Sequence, residues 1–240
     1  MRPINKGPSP YTAISHYSEA LPFLERTIGL YCSYCGFPLA HVPEVEHVAA
    51  KTEGGELTAW KNLLVGCKYC NTRKKAIVGK VNVDEYLWPD QYNTALAYTY
   101  ENGMPAVNET DLLTVDPSGL ALTKAKKLFN LVKLDNIPTP AEKDRRQNER
   151  NKVFEIALDS LADYQEGKVT YPEHIDVLAK QIVRTAILGG FFSIWMTVFA
   201  DEPEVLNALI DAFPGTEKEF FDESGVSKLI LERAQEASAV

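Results

Sequence analysis

The chain has 240 residues, 45% of them hydrophobic and 24% charged, the composition of a soluble globular protein with room for one sizeable domain or two small ones. Its net charge of −8 argues against a protein that wraps nucleic acid nonspecifically. That charge is unevenly spread, however: residues 1–80 carry 10 Lys and Arg against 6 Asp and Glu, and the other 160 carry 15 against 27. No basic leader followed by an apolar core and cleavage site is evident, so the expected compartment is the cytoplasm.

The opening residues, MRPINKGPSP, hold three prolines and a glycine and are expected to be irregular. Their Arg2 and Lys6 could touch nucleic acid, although a disordered start is the plainer expectation. Residues 16–28 place Tyr17, Ala20, Leu21, Leu24 and Ile28 at helical spacing, with Pro22 bending or delimiting the helix. His16 and His41 read as surface or packing residues.

Residues 31–75 read YCSYCGFPLAHVPEVEHVAAKTEGGELTAWKNLLVGCKYCNTRKK and hold every cysteine of the chain, as Cys32-x-x-Cys35 and Cys67-x-x-Cys70. Two such pairs bracketing a short segment point to zinc, because four thiolates close a tetrahedral shell and the two-residue spacer turns both sulfurs toward one ion. Thiols arranged for metal also fit a reducing compartment. The short apolar runs around Val42, Val45 and Leu63–Val65 suit a hairpin too small to stand without a metal.

Between the cysteine pairs stand Glu46-His47 and Asn62, and Asn71 follows the second pair directly. With Gly54-Gly55 in the loop and Asn62-Leu63-Leu64 entering a strand, this combination resembles the HNH nuclease family, over about a fifth of the chain. The resemblance implies a ββα-metal fold: one strand ending near Glu46-His47, a second at residues 63–65, and a helix from about Cys70. It also implies roles. His47 would be the general base, Glu46 and Asn71 would hold a catalytic Mg²⁺ or Mn²⁺, and Asn62 would orient His47 through a backbone contact. Those residue types suit phosphodiester cleavage, which needs a base for water near neutral pH and hard oxygen ligands for the cation. Arg73, Lys74 and Lys75 are expected to touch phosphates beside that metal.

Downstream, Tyr86, Trp88, Tyr92, Tyr98 and Tyr100 form an aromatic stretch expected to pack beneath the nuclease unit. Residues 94–100 and 109–115 are expected to form a hairpin around Asn102-Gly103. A helix follows from Gly119, with Leu122, Ala125, Leu128, Phe129 and Val132 on its apolar face. Thr139-Pro140-Ala141-Glu142 reads as a capping box that opens a further helix to about Tyr164, burying Val153, Ile156, Ala157 and Leu161. The cluster Lys143, Arg145, Arg146, Arg150 and Lys152 stands out in an acidic half, and Arg146 and Arg150 are expected to contact the substrate. Residues 171–189, 203–213 and 226–237 read as helices. The charge-free stretch 186–200 is too short and too glycine-interrupted for a membrane span and is expected to be buried.

The expected architecture is α+β and mostly α: a nuclease unit over 1–90, a connecting segment over 91–118 and a helical, partner-binding domain over 119–240. More loosely, the chain resembles the HNH nucleases of bacterial Septu-type antiphage systems, with related proteins in some retron systems. That resemblance runs over the whole chain, including the MRPINKG start and residues 128–146, and implies an ATPase partner; the nucleic acid expected as substrate is DNA in preference to RNA. Two other readings share the four cysteines. A non-catalytic zinc-bound adaptor or nucleic-acid-binding module has no need of Glu46-His47 with Asn71. A restriction-type HNH nuclease lacks, in this sequence, a recognition helix or repeated base-reading unit.

Overall fold

Two short antiparallel strands lie at the centre of the zinc-binding segment, β1 (Glu44–His47) and β2 (Leu63–Gly66), with Glu46 opposite Leu64 and His47 opposite Leu63. The computed structural model describes residues 1–233. Every residue of β2 is buried, which a four-residue strand achieves only when both of its faces are covered. Helix α2 (Lys68–Lys74) follows at once, capped by Cys67, and completes a ββα unit, starting two residues earlier than the sequence suggested.

Helix α1 (Leu21–Ile28) precedes this unit and is entered through a single 3-10 turn, Tyr17–Ala20, capped by His16. Pro22 sits in the first turn of α1, where its missing N–H costs no hydrogen bond. The start of the chain departs from expectation. It forms no helix or strand, yet Met1, Arg2, Ile4 and Lys6 are all buried. Arg2 donates to the carbonyls of Pro214 and Ile28, and Lys6 donates to the carbonyls of Trp60 and Leu63 and pairs with Asp90 at 2.7 Å. With their charges spent inside the protein, neither residue is free to meet nucleic acid.

After α2 comes a short helix α3 (Thr94–Ala97), then β3 (Tyr98–Glu101) paired with β4 (Met104–Val107) about the Asn102-Gly103 turn. The turn is where the sequence placed it; the limbs are not. Residues 94–97 and α4 (Glu109–Val115) are helical, each capped by the asparagine before it, Asn93 and Asn108. Tyr86, Trp88, Tyr98 and Tyr100 are buried as expected.

The remaining helices are α5 (Leu120–Val132), α6 (Arg146–Thr170), α7 (Ile175–Gly189), α8 (Phe192–Val198) and α9 (Pro203–Ala212). Three expectations need correction. The Thr139 to Glu142 segment makes the side-chain half of a capping box, Thr139 N–H donating to Glu142 at 3.0 Å, but no helix begins there. Asp144 turns inward instead, accepting from the Arg146 backbone, and α6 starts at 146. On α6 itself, Val153 and Ala157 are buried while Ile156 is exposed. Finally, residues 226–233 are irregular, their backbone joined to Phe221 and Tyr92 by isolated bridges, and 234–240 lie outside the described residues.

The charge-free stretch is split between α7 and α8 by Gly190 and Phe191, both at positive φ, and buries Phe192, Ile194, Trp195 and Phe199. Among the described residues no helix is long and apolar enough to cross a membrane. At this split the α7–α8 turn meets the first cysteine knuckle, backbone against backbone. Phe191 N–H donates to Gly36 O at 2.8 Å, and a Cβ on Gly36 would lie 3.1 Å from Phe191 Cα. Leu24, Leu63, Val65 and Trp88 share one continuous core with Leu128, Trp195 and Phe213.

Candidate functional site

Each cysteine pair is set by a local turn. Cys32 and Cys35 stand on a tight turn closed by Gly36 N–H donating to Cys32 O at 2.9 Å, with Gly36 at φ 77°. Cys67 is the N-cap of α2 and accepts the Cys70 N–H at 3.4 Å. Pairing of β1 with β2 and a Ser33 N–H to Val65 O bond bring the turns together. The four Sγ atoms lie within 4.8 Å of one another, and Cys35 and Cys67 are 3.8 Å apart. A tetrahedron with Zn–S bonds of about 2.3 Å has sulfur–sulfur edges of about 3.8 Å. The donor set is therefore four buried sulfurs at zinc spacing, and it fits a closed structural site.

A second centre uses the same hairpin. Because side chains alternate along a strand, Glu44 and Glu46 face α2 while His47 faces away. Glu46 is buried, pairs with Lys74 Nζ at 2.9 Å and accepts from the Tyr34 hydroxyl at 3.2 Å. Burial raises its pKa and the Lys74 ammonium opposes the rise. Gly66 leaves room for it, since a Cβ there would lie 3.0 Å from Glu46 Cβ and Cγ. Asn71 donates its amide N–H to Glu44 at 2.7 Å, and among the described residues nothing donates to its amide oxygen.

His47 is half-buried, and its Nε2 lies 3.0 Å from the Leu57 carbonyl. A carbonyl only accepts, so Nε2 carries the hydrogen and Nδ1 keeps the lone pair. Burial lowers the His47 pKa below the ordinary histidine value, with the Leu57 bond pulling the other way. Asn62 fixes the loop that supplies this carbonyl. Its Oδ1 accepts from Ala49 N–H at 2.8 Å, and its Nδ2 donates to Ala49 O at 3.0 Å and Glu56 O at 2.8 Å. Tyr17 stands edge-on to the imidazole at 4.9 Å, and the Lys51 ammonium lies over Tyr17 at 5.2 Å.

A family model described as HNH endonuclease matches residues 32–76. Those residues are an HNH endonuclease domain. The HNH domain runs from the first zinc-spaced cysteine to just past Lys74, so both centres fall inside it. No curated protein and no solved structure matches the chain.

The basic residues expected to bind substrate behave differently from one another. Lys75 is exposed just past α2, and Arg73 is partly exposed, 3.4 Å from Asp144. Lys74, Arg146 and Arg150 are corrections: all three are buried, so none presents its charge to a phosphate on the surface. Lys74 is spent on Glu46 and on the His47 carbonyl, and the two arginines lie on the inward face of α6. The sequence reading missed Glu44, which two-residue alternation from Glu46 would have revealed. Tyr17 carried no local signal, because only the fold of the 3-10 turn brings it to His47.

Proposed function

We propose that the HNH domain hydrolyses phosphodiester bonds, with His47 Nδ1 taking a proton from the attacking water. The observation that supports this most directly is the Leu57 carbonyl on Nε2, which fixes the tautomer and leaves a basic nitrogen free on a partly exposed ring. The lowered pKa keeps that nitrogen neutral near pH 7. Asn62 serves indirectly, holding the loop rather than touching the ring.

The carboxylates of Glu44 and Glu46 and the free amide oxygen of Asn71 are the hard donors that Mg²⁺ or Mn²⁺ takes, and Lys74 now stands where a cation would meet Glu46. A cation held there would offset the charge on the leaving oxygen. Arg73 in the last turn of α2 and Lys75 just past it would meet substrate phosphates. The test is His47→Ala on the full chain: cleavage of a DNA substrate with added Mg²⁺ should be abolished while zinc content and circular dichroism stay at wild-type values. Near wild-type cleavage by that variant would refute the assignment.

DNA is the substrate we favour, in the cytoplasm, as the effector arm of an antiphage system that acts with an ATPase. Support for the antiphage role and its ATPase comes from the sequence resemblance over the whole chain, including MRPINKG and residues 128–146. The excess of acidic residues after position 80 supports a protein-facing rather than nucleic-acid-facing role for residues 119–240. Co-purification of the full chain with an ATPase encoded beside it is the check. Absence of such a neighbour, or no association with it, would count against the partnership.

A further inference from the structure

Two buried arginines on the first turns of α6 have no role in the reading above. Arg146 donates from Nη1 to Cys70 Sγ at 3.3 Å and to Val132 O at 2.9 Å. Its Nη2 donates to Lys133 O at 3.0 Å, and it pairs with Asp144 at 2.8 Å. Arg150 is 0% exposed, donates to Gln147 and to Leu134 O, and has an Nε with no partner. Among the described residues it has no carboxylate in ion-pair range. A buried guanidinium without a counter-charge costs several kcal/mol, so a negative charge is required close by.

The surrounding charges show where it is. Lys74 is matched by Glu46, and Lys6 by Asp90. Arg73 is met by Asp144 at 3.4 Å and Glu142 at 3.8 Å, and Arg146 by Asp144 at 2.8 Å, which leaves Arg150 as the cation of this group without a carboxylate. Four thiolates around Zn²⁺ leave two negative charges. A four-thiolate zinc supplies negative charge at this place: Arg146 already touches one of its ligands, and Cys35 and Cys70 are among the groups whose charge acts on Arg150.

We propose that Arg146 and Arg150 are the counter-cations of the zinc tetrathiolate, so that the metal bound by the HNH domain also anchors the first turns of α6 and the carbonyls of residues 132–134. The inference rests on the zinc reading of the four cysteines. A guanidinium donating to a bound thiolate draws charge from the sulfur and makes it a poorer target for protons and alkylating agents, slowing metal loss.

The test follows zinc release from the full chain to a metal-sensitive chelating dye, with the alkylation rate of the cysteines read in parallel. Arg146→Met and Arg150→Met keep volume and remove charge, and each should release zinc about tenfold faster or more. Arg146→Lys, which keeps the charge, should fall closer to wild type. Methionine variants that hold zinc at the wild-type rate overturn the proposal. Should a methionine variant fail to fold, the wild-type chain decides by hydrogen exchange with and without zinc. Chelation is expected to strip protection from the first turns of α6 together with the cysteine turns, and α6 protection that survives their opening overturns the idea. Metal analysis separates the two levels: a wild-type chain without zinc overturns both readings, whereas one zinc per chain with unmoved release rates overturns only this one.

Discussion

At the scale of single residues, Lys74 and Glu46 are the most exacting pair. Both are about 1% exposed, so removing one partner leaves the other charged and uncompensated in the core. Lys74→Met should therefore destabilise the chain by about 3–5 kcal/mol, measured by urea unfolding. If Glu46 is also a cation ligand, Mg²⁺ or Mn²⁺ should raise the melting temperature of that variant more than that of wild type, because the ion restores the missing charge. Asn62→Ala breaks three hydrogen bonds at once and leaves Ala49 unsatisfied, at a cost of about 1–3 kcal/mol and with a loss of cleavage through a wandering Leu57 carbonyl. The cysteines, His47 and Asn62 were legible in the sequence because metal and loop chemistry fix their spacing. Lys74, Arg146 and Arg150 were not. Long cations are seldom fully buried, and only the tertiary fold reveals the carboxylate, carbonyls and sulfur waiting for them.

At the scale of elements, α6 shows how a polar sequence makes a packed helix. Its inward face runs through Arg146, Arg150, Val153, Ala157 and Tyr164, so guanidinium groups continue a stripe that methyl groups carry further along. An apolar count over its first turns finds no face, which is why the sequence alone assigned those arginines to a substrate at the surface. The stripe is testable. Ala157→Leu should cost about 1–3 kcal/mol by overpacking, while Ile156→Ala, one residue away but 46% exposed, should stay within about 1 kcal/mol by thermal or urea unfolding. Helices α3 and α4 carried a readable signal in the asparagines before them, Asn93 and Asn108, which the Asn102-Gly103 hairpin pattern outweighed.

At the scale of the molecule, one core joins the residues around the zinc ligands to the C-terminal helices. Chelating the zinc from the full chain should therefore lower the melting temperature of a single calorimetric transition, with no separate helical transition left behind. The meeting of Gly36 with the α7–α8 turn carries a different consequence. A Cβ on Gly36 would crowd Phe191 Cα, and one on Gly190 would lie 2.8 Å from Gly36 O, so each turn holds the other at bare-backbone distance. Two glycines far apart in the chain are thus thermodynamically coupled. Gly36→Ala should force the turns apart, and Gly190→Ala added to it should then cost less than it does alone. A double-mutant cycle would read that sub-additivity as a coupling energy of about 0.5–3 kcal/mol. Neither position could then drift in evolution without changing what the other tolerates.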